Sequence, residues 1–169
     1  HLYHKIQPEW VYDIETESGK FMAGVGTMVI SNSPRRGETF VTRKITRAVA
    51  NIITGRQIKL YLGNLNATRD WGFAPEYVEG MYKILQQDKS DDFVLGTGES
   101  HSVKEFVRAV FSYAGLNWEK YVLIDKKYFR PTEVNVLKAD SSKSKKILGW
   151  KPKVTFDDLV KIMVDADMR

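Results

Sequence analysis

The sequence predicts an α/β fold preceded by a short β segment, and three observations carry that prediction. From Thr39 onward, stretches with apolar residues at helical spacing alternate with short apolar runs bounded by glycine or charge. Before Asn32 there is no helical period, only brief extended runs broken by Ser18-Gly19-Lys20 and Gly24-Val25-Gly26. The charge changes at the same place. Residues 1–32 hold Lys5 and Lys20 against Glu9, Asp13, Glu15 and Glu17, so the net +5 divides into −2 there and +7 in the remainder. The chain is therefore read as two units, 1–32 and 33–169, meeting at Asn32–Ser33.

Within the first unit, Trp10 to Glu15 alternates and is rich in β-formers, which predicts a strand. Phe21-Met22-Ala23 continues extended, and Thr27 to Ile30 predicts another strand. A segment this short cannot bury a core alone, so it must complete something else.

The second unit opens with the loop Ser33-Pro34-Arg35-Arg36-Gly37-Glu38. Thr39 is placed to cap a helix in which Phe40, Val41, Ile45, Ala48, Val49, Ile52 and Ile53 recur at helical spacing, stopped by Gly55. Ile58 to Leu62 predicts a strand. Pro75 opens a second helix carrying Tyr77, Val78, Met81, Tyr82 and Leu85, and Asp92 to Leu95 reads as a buried strand. Ser102-Val103-Lys104-Glu105 is a capping box for a helix with Phe106, Val107, Val110 and Phe111 on one face, ended at Gly115. Tyr121 to Ile124 predicts a strand. Asp140-Ser141 caps a short helix ending at Leu148-Gly149, and Thr155 caps a last one with Leu159, Ile162, Met163 and Ala166 inward.

Composition narrows the function classes. With 43% apolar and 28% charged residues the chain suits a soluble globular protein, and no apolar run approaches the roughly 20 residues of a membrane span. His1-Leu2-Tyr3-His4 has neither the basic start nor the apolar core of a signal peptide. The chain opens on His rather than Met and is expected to be a piece of a longer one, in the cytoplasm. Zero cysteines exclude disulfides and cysteine-based zinc sites. The basic second unit suits an anionic partner, but its lysines and arginines alternate with acids instead of forming a block, which disfavours nucleic acid.

Three arginines stand beside loop or strand punctuation rather than on helix faces: Arg36 in Pro-Arg-Arg-Gly, Arg69 before Asp70-Trp71, and Arg130 before Pro131-Thr132-Glu133. Arginine's planar fork binds two phosphate oxygens at once, and a carboxylate such as Glu133 can accept both hydroxyls of a ribose. Singly, each arginine is read as a surface ion pair worth about 0–1 kcal/mol. Together, with Trp71, Tyr128 and Phe129 nearby in sequence, they suggest a diphosphate-linked ligand. His101 and Trp150 are read as structural.

Two resemblances sharpen this. Val11-Tyr12-Asp13-Ile14-Glu15, Phe21 to Gly26, and Val29-Ile30-Ser31-Asn32-Ser33 resemble the C-terminal end of an intein. That resemblance implies that Asn32 cyclises onto its own carbonyl and that the Ser33 hydroxyl receives the upstream segment as an ester. Ser31 and Gly19 stand where that family carries histidines, which implies slow cleavage. The alternative is an ordinary β-hairpin with an Asn-Ser loop.

The second resemblance covers essentially all of residues 33–169. The run from Ser33 to Ile45, Tyr61-Leu62-Gly63-Asn64, Arg69-Asp70-Trp71-Gly72, Thr97 to Val103, Phe129 to Val134 and Leu148-Gly149-Trp150-Lys151-Pro152 resemble GDP-mannose 4,6-dehydratases, within the extended short-chain dehydrogenases of Rossmann type. This implies an NADP-dependent lyase that takes GDP-mannose to GDP-4-keto-6-deoxymannose. Hydride passes from the sugar C4 to NADP, water leaves across C5–C6, and the hydride returns to C6. By the resemblance, Arg35 and Arg36 approach the cofactor, Val41 and Lys44 line the nucleotide site, Arg69 and Arg130 hold the diphosphate and ribose region, and Glu133 holds the ribose. Phe73 stands where the family has His, and the Trp118–Lys127 link is short.

Neither a Gly-x-x-Gly-x-x-Gly turn nor a Tyr-x-x-x-Lys pair occurs in these 169 residues. The chain is therefore expected to be the substrate-binding half, inactive without its N-terminal Rossmann half and a homo-oligomer, dimer or tetramer, when complete. The alternatives are another nucleotide-sugar epimerase or dehydratase, a splicing segment, or a phosphate- or nucleic-acid-binding module.

Overall fold

A computed structural model describes residues 2–4, 12–14, 31–129 and 136–169. In the first unit, β1 (Leu2–His4) and β2 (Tyr12–Ile14) pair antiparallel, with Leu2 opposite Ile14. β2 lies inside the strand predicted over Trp10–Glu15. β1 was not expected, because three residues are too few to display an alternation. The extended runs predicted over Phe21–Ala23 and Thr27–Ile30 lie outside the described residues.

The second unit alternates as predicted. After β3 (Ser31–Asn32) come α1 (Val41–Ile53), β4 (Leu60–Leu62), β5 (Thr68–Arg69), β6 (Gly72–Phe73) and α2 (Ala74–Leu85). They are followed by β7 (His101–Ser102), α3 (Val103–Tyr113), β8 (Val122–Ile124), α4 (Ser142–Leu148) and α5 (Phe156–Asp167). Pairing is in short ladders: β3 with β6 and β4 with β8 parallel, β5 with β7 antiparallel.

Helix termini mostly follow the sequence signals. Ser102 and Glu105 form the full capping box of α3, and Thr155 Oγ1 accepts the Asp158 amide at the start of α5. Gly149 closes α4 in the left-handed region at φ +60°, open only cheaply to glycine. Thr39 does not cap α1. The Phe40 amide bonds Gly37 O at 3.1 Å, so the chain is still turning at Thr39, and Phe40 itself becomes the cap residue without a side-chain bond. Asp140 serves α4 from one residue earlier than the cap, accepting the Ser142 amide at 2.9 Å.

The main core joins α1, α3 and α5 to β4 and β8. Ile45, Val49, Phe106, Val110, Leu159 and Met163 are buried there, and Leu60 and Leu62 close it from the sheet side. Truncating one of these large side chains, such as Phe106→Ala, costs about 3–5 kcal/mol. A second cluster under α2 and α4 holds Tyr77, Phe93, Leu148 and Trp150. Trp150 is core packing, as expected, and its indole donates to Glu76 O at 2.7 Å.

Two expectations change. The residues Asp92–Leu95 form no strand and have no ladder partner among the described residues. Instead Val94 O accepts the Ser144 hydroxyl at 2.5 Å, so α4 satisfies the backbone that a strand would have paired. On α2, Val78, Tyr82 and Leu85 are 60–63% exposed, while Tyr77 and Gly80 face inward. A Cβ on Gly80 would lie 2.8 Å from Leu95 and 3.0 Å from the Trp150 indole nitrogen. The closest packing of this helix thus runs through a residue that adds nothing to an apolar period.

Candidate functional site

The cationic residues named from the sequence fall into three groups. The first is the loop after β3. Ser33 folds it into a turn: its hydroxyl oxygen accepts the Arg35 amide at 3.2 Å and its carbonyl accepts the Arg36 amide at 3.0 Å. The Arg36 guanidinium lies 3.8 Å from the Phe40 ring centroid. Partial burial lowers its pKa from the ordinary value, and arginine stays charged regardless. Arg35 is exposed beside it.

This loop is held from behind. Arg43 on α1 donates to Arg36 O at 3.0 Å and, through Nε, to both oxygens of Asp167 at 2.8 and 3.1 Å. The Thr46 hydroxyl donates to the same carboxylate at 2.6 Å. Asp167, the last residue of α5, is 5% exposed, so the end of the chain fixes the loop near its start. Sequence reasoning missed Arg43 and Asp167. They are 124 residues apart and no local pattern links them.

The second group surrounds Lys44. Its ammonium donates to Tyr61 O on β4 at 2.6 Å and stands 3.7 Å from the Tyr128 ring centroid. Burial lowers its pKa first; Tyr128 and Asp125 pull it back up and Lys127 opposes them. Lys44 and Tyr61 line a depression of about 250 Å³ together with Glu38, Arg47, Lys59 and Tyr128. Asp125 holds the turn Lys126–Tyr128 by accepting the Lys127 amide at 3.0 Å. Gly63 is required where β4 passes this turn, since a Cβ there would come within van der Waals overlap of Tyr128 O. Val41, the first residue of α1, packs partly buried against the main core.

The third group is β5 and its neighbours. Thr68–Arg69 pairs with His101–Ser102, and Thr68 O accepts the Leu137 amide at 3.2 Å. Arg69 Nη1 donates to Thr68 O at 2.7 Å. Arg130 and Glu133 lie outside the described residues. The described chain re-enters at Val136, which is bridged in parallel to Thr68, the neighbour of Arg69 on β5. Asn32 closes β3, opposite Phe73 in the parallel ladder.

Of the aromatic residues expected near a ligand, Tyr128 and Phe129 are exposed, at 44% and 48%. Trp71 is not available. It is buried edge-on to Phe106 with centroids 5.1 Å apart, because its neighbour Asp70 anchors the strand end and turns the indole into the core. His101 is structural as read, stacked on Phe156 at 3.9 Å. Among the described residues, no cluster of His, Asp or Glu could hold a metal ion, and no helix is long and apolar enough to cross a membrane.

A family model for GDP-mannose 4,6 dehydratase matches residues 4–163. GDP-mannose 4,6 dehydratase 1 of Arabidopsis thaliana is 62% identical over 85% of the chain, and GDP-mannose 4,6 dehydratase 2 of the same plant 59% identical over 97%. The human GDP-mannose 4,6 dehydratase is 44% identical over 97%. The chain spans only 40%, 44% and 49% of these three relatives' lengths. Among solved structures, RMD from Pseudomonas aeruginosa complexed with NADPH superposes on 82% of the chain and 46% of its own, with a TM-score of 0.73 at 16% identity. A dTDP-glucose 4,6-dehydratase from Bacillus anthracis in complex with NAD superposes on 80% of the chain and 41% of its own, with a TM-score of 0.67 at 18% identity. The fold is thus the C-terminal part of an extended short-chain dehydrogenase of Rossmann type. By its family match and by identities of 44–62% across most of its length, the chain belongs to the GDP-mannose 4,6-dehydratase family.

Proposed function

We propose that the complete protein dehydrates GDP-mannose to GDP-4-keto-6-deoxymannose with NADP, and that this chain supplies the half that binds the GDP-sugar. The observation that carries the reading is the 62% identity to a plant GDP-mannose 4,6 dehydratase over residues that include the three cationic groups. When bound, NADP supplies the acceptor and later the donor of hydride. The donor set fits an anionic cofactor: two guanidiniums, Arg35 and Arg36, on a turn pinned by Ser33 and Arg43. Lys44 and Val41 line the nucleotide side. Arg69, with Arg130, balances diphosphate charge, and Glu133 accepts the ribose hydroxyls. The proton and hydride machinery belongs to the Rossmann half, so this chain alone is inactive. The complete enzyme is a cytoplasmic homo-oligomer on this reading.

The test is GDP binding to the complete protein. GDP should raise its melting temperature, and Arg69→Ala or Arg130→Ala should weaken that effect. Unchanged GDP affinity in both variants overturns the assignment. A preference for a UDP- or dTDP-sugar over GDP-mannose would instead favour another nucleotide-sugar epimerase or dehydratase.

For residues 1–32 a second reading rests on the run Val29 to Ser33, which matches the end of an intein, with Asn32 as the cyclising residue and Ser33 as the acceptor. The family match beginning at residue 4 supports the competing reading, in which the segment belongs to the dehydratase. Mass spectrometry of the full precursor separates them. Cleavage after Asn32 that stops in Asn32→Ala supports splicing, and an intact chain in both removes it.

A further inference from the structure

The Asp70 carboxylate accepts from four donors. Oδ1 accepts the Thr97 amide at 2.9 Å and the Thr97 hydroxyl at 2.6 Å. Oδ2 accepts the Gly98 amide at 2.9 Å and the Ala139 amide at 3.2 Å. One side chain thereby ties together the end of β5, the loop before β7, and the segment after Val136. The knot is tight: a Cβ on Gly96 would overlap the Ala139 side chain. The same three stretches are also laced by backbone, through the Thr68–Arg69 pairing with His101–Ser102 and the Leu137 amide on Thr68 O.

Asp70 follows Arg69 directly at the C-terminal end of β5, so the four bonds on its carboxylate act on the backbone next to Arg69. Holding Asp70 in this knot therefore restrains the backbone from which the Arg69 side chain projects. We propose that Asp70 is a positioning residue for substrate binding, holding Arg69 in register to receive the diphosphate of the GDP-sugar. The inference rests on the reading of Arg69 given above. A two-oxygen contact from a guanidinium depends on alignment, and misplacement of about 1 Å at a binding group can cost up to about a hundredfold. Asp70→Asn keeps the shape but sets a donor against the amides of Gly98 and Ala139, or of Thr97 if the amide flips. Either way β5 loses half its anchor.

The experiment measures GDP affinity by calorimetry and steady-state KM and kcat with GDP-mannose, on the complete protein. Asp70→Asn is expected to weaken GDP and raise KM about tenfold, with kcat within about twofold of the parent. Ser144→Ala is the control. It deletes an equally short buried bond, the one to Val94 O, far from Arg69 in connectivity, and should lower stability while leaving GDP affinity unchanged. Should Asp70→Asn fail to fold, Thr97→Val removes one donor from the knot and is expected to weaken GDP about threefold. If Arg69→Ala leaves GDP affinity unchanged, the reading beneath the inference fails. If Arg69→Ala weakens GDP while Asp70→Asn or Thr97→Val does not, Asp70 holds the fold alone and the positioning role is overturned.

Discussion

Arg43 and Asp167 meet side by side across 124 residues, Nε to Oδ1 at 2.8 Å and to Oδ2 at 3.1 Å, and Arg43 passes the restraint on to the carbonyl of Arg36. The pair is 20% and 5% exposed, so it is screened far less than a surface ion pair. Breaking it from the carboxylate side leaves a half-buried guanidinium short of acceptors. Asp167→Asn is expected to destabilise by about 2 kcal/mol in urea unfolding. A double-mutant cycle with Arg43→Met should return a coupling of about 1 kcal/mol or more, and zero coupling would show that the two side chains contribute independently.

Lys44 separates binding from folding. Burial already disfavours its charged form, so its folded pKa is lowered, and the penalty is present at pH 7 and relieved only as pH rises from the folded value toward about 10.4. Lys44→Met removes that penalty together with the bond to Tyr61 O and the contact with Tyr128. Stability is therefore expected to change by less than about 0.5 kcal/mol, while GDP affinity falls about tenfold. Equal affinity in the variant would remove Lys44 from the nucleotide site.

The capping box of α3 gives a pH signature. Bonds from the Ser102 amide and hydroxyl hold the Glu105 carboxyl below its ordinary value. A lowered folded pKa contributes stability that is fully present above about pH 4.3 and is lost as pH falls through the folded value. Ser102→Ala should cost about 1 kcal/mol at pH 7 and reduce, without abolishing, the acid limb of a melting-temperature profile, because the larger bond from the residue-102 amide to Glu105 survives. A variant with the parent's acid limb would mean that the hydroxyl bond adds nothing to the acid stability held by the backbone bond.

Two glycines should respond to alanine for different reasons. At Gly96 the added methyl meets the Ala139 side chain, an overpacking cost of about 1–3 kcal/mol. At Gly55 nothing lies within 4 Å, but φ is +72°, so the cost is conformational and about 1 kcal/mol. Thermal unfolding should therefore rank Gly96→Ala below Gly55→Ala in stability, and the reverse order would contradict the packing at Ala139.

The sequence made visible whatever is local. The capping box, the Gly149 stop, and the inward faces of α1, α3 and α5 all follow from spacing within a dozen residues. Arg36, Lys44 and Arg69 stood out because they interrupt punctuation or match a family motif. What stayed hidden is what distant segments decide. Trp71 read as a ligand neighbour until the fold buried it against Phe106. Nothing in the apolar spacing of α2 separates the buried Tyr77 from the exposed Val78, Tyr82 and Leu85, and the close contact at Gly80 leaves no mark on an apolar period. Asp70 carried no signal beyond its place in a motif, since its four donors come from two separate stretches, Thr97–Gly98 and Ala139.

The ladder between Ser31–Asn32 and Gly72–Phe73 has a consequence for the junction at Ser33. A parallel ladder is written in amides and carbonyls and is largely blind to the side chains it joins. The register sets Ser31 opposite Gly72 and Asn32 opposite Phe73. The backbone leading into the Ser33 turn is thus hydrogen-bonded to the strand that opens α2, and the junction at Ser33 starts from a fixed register.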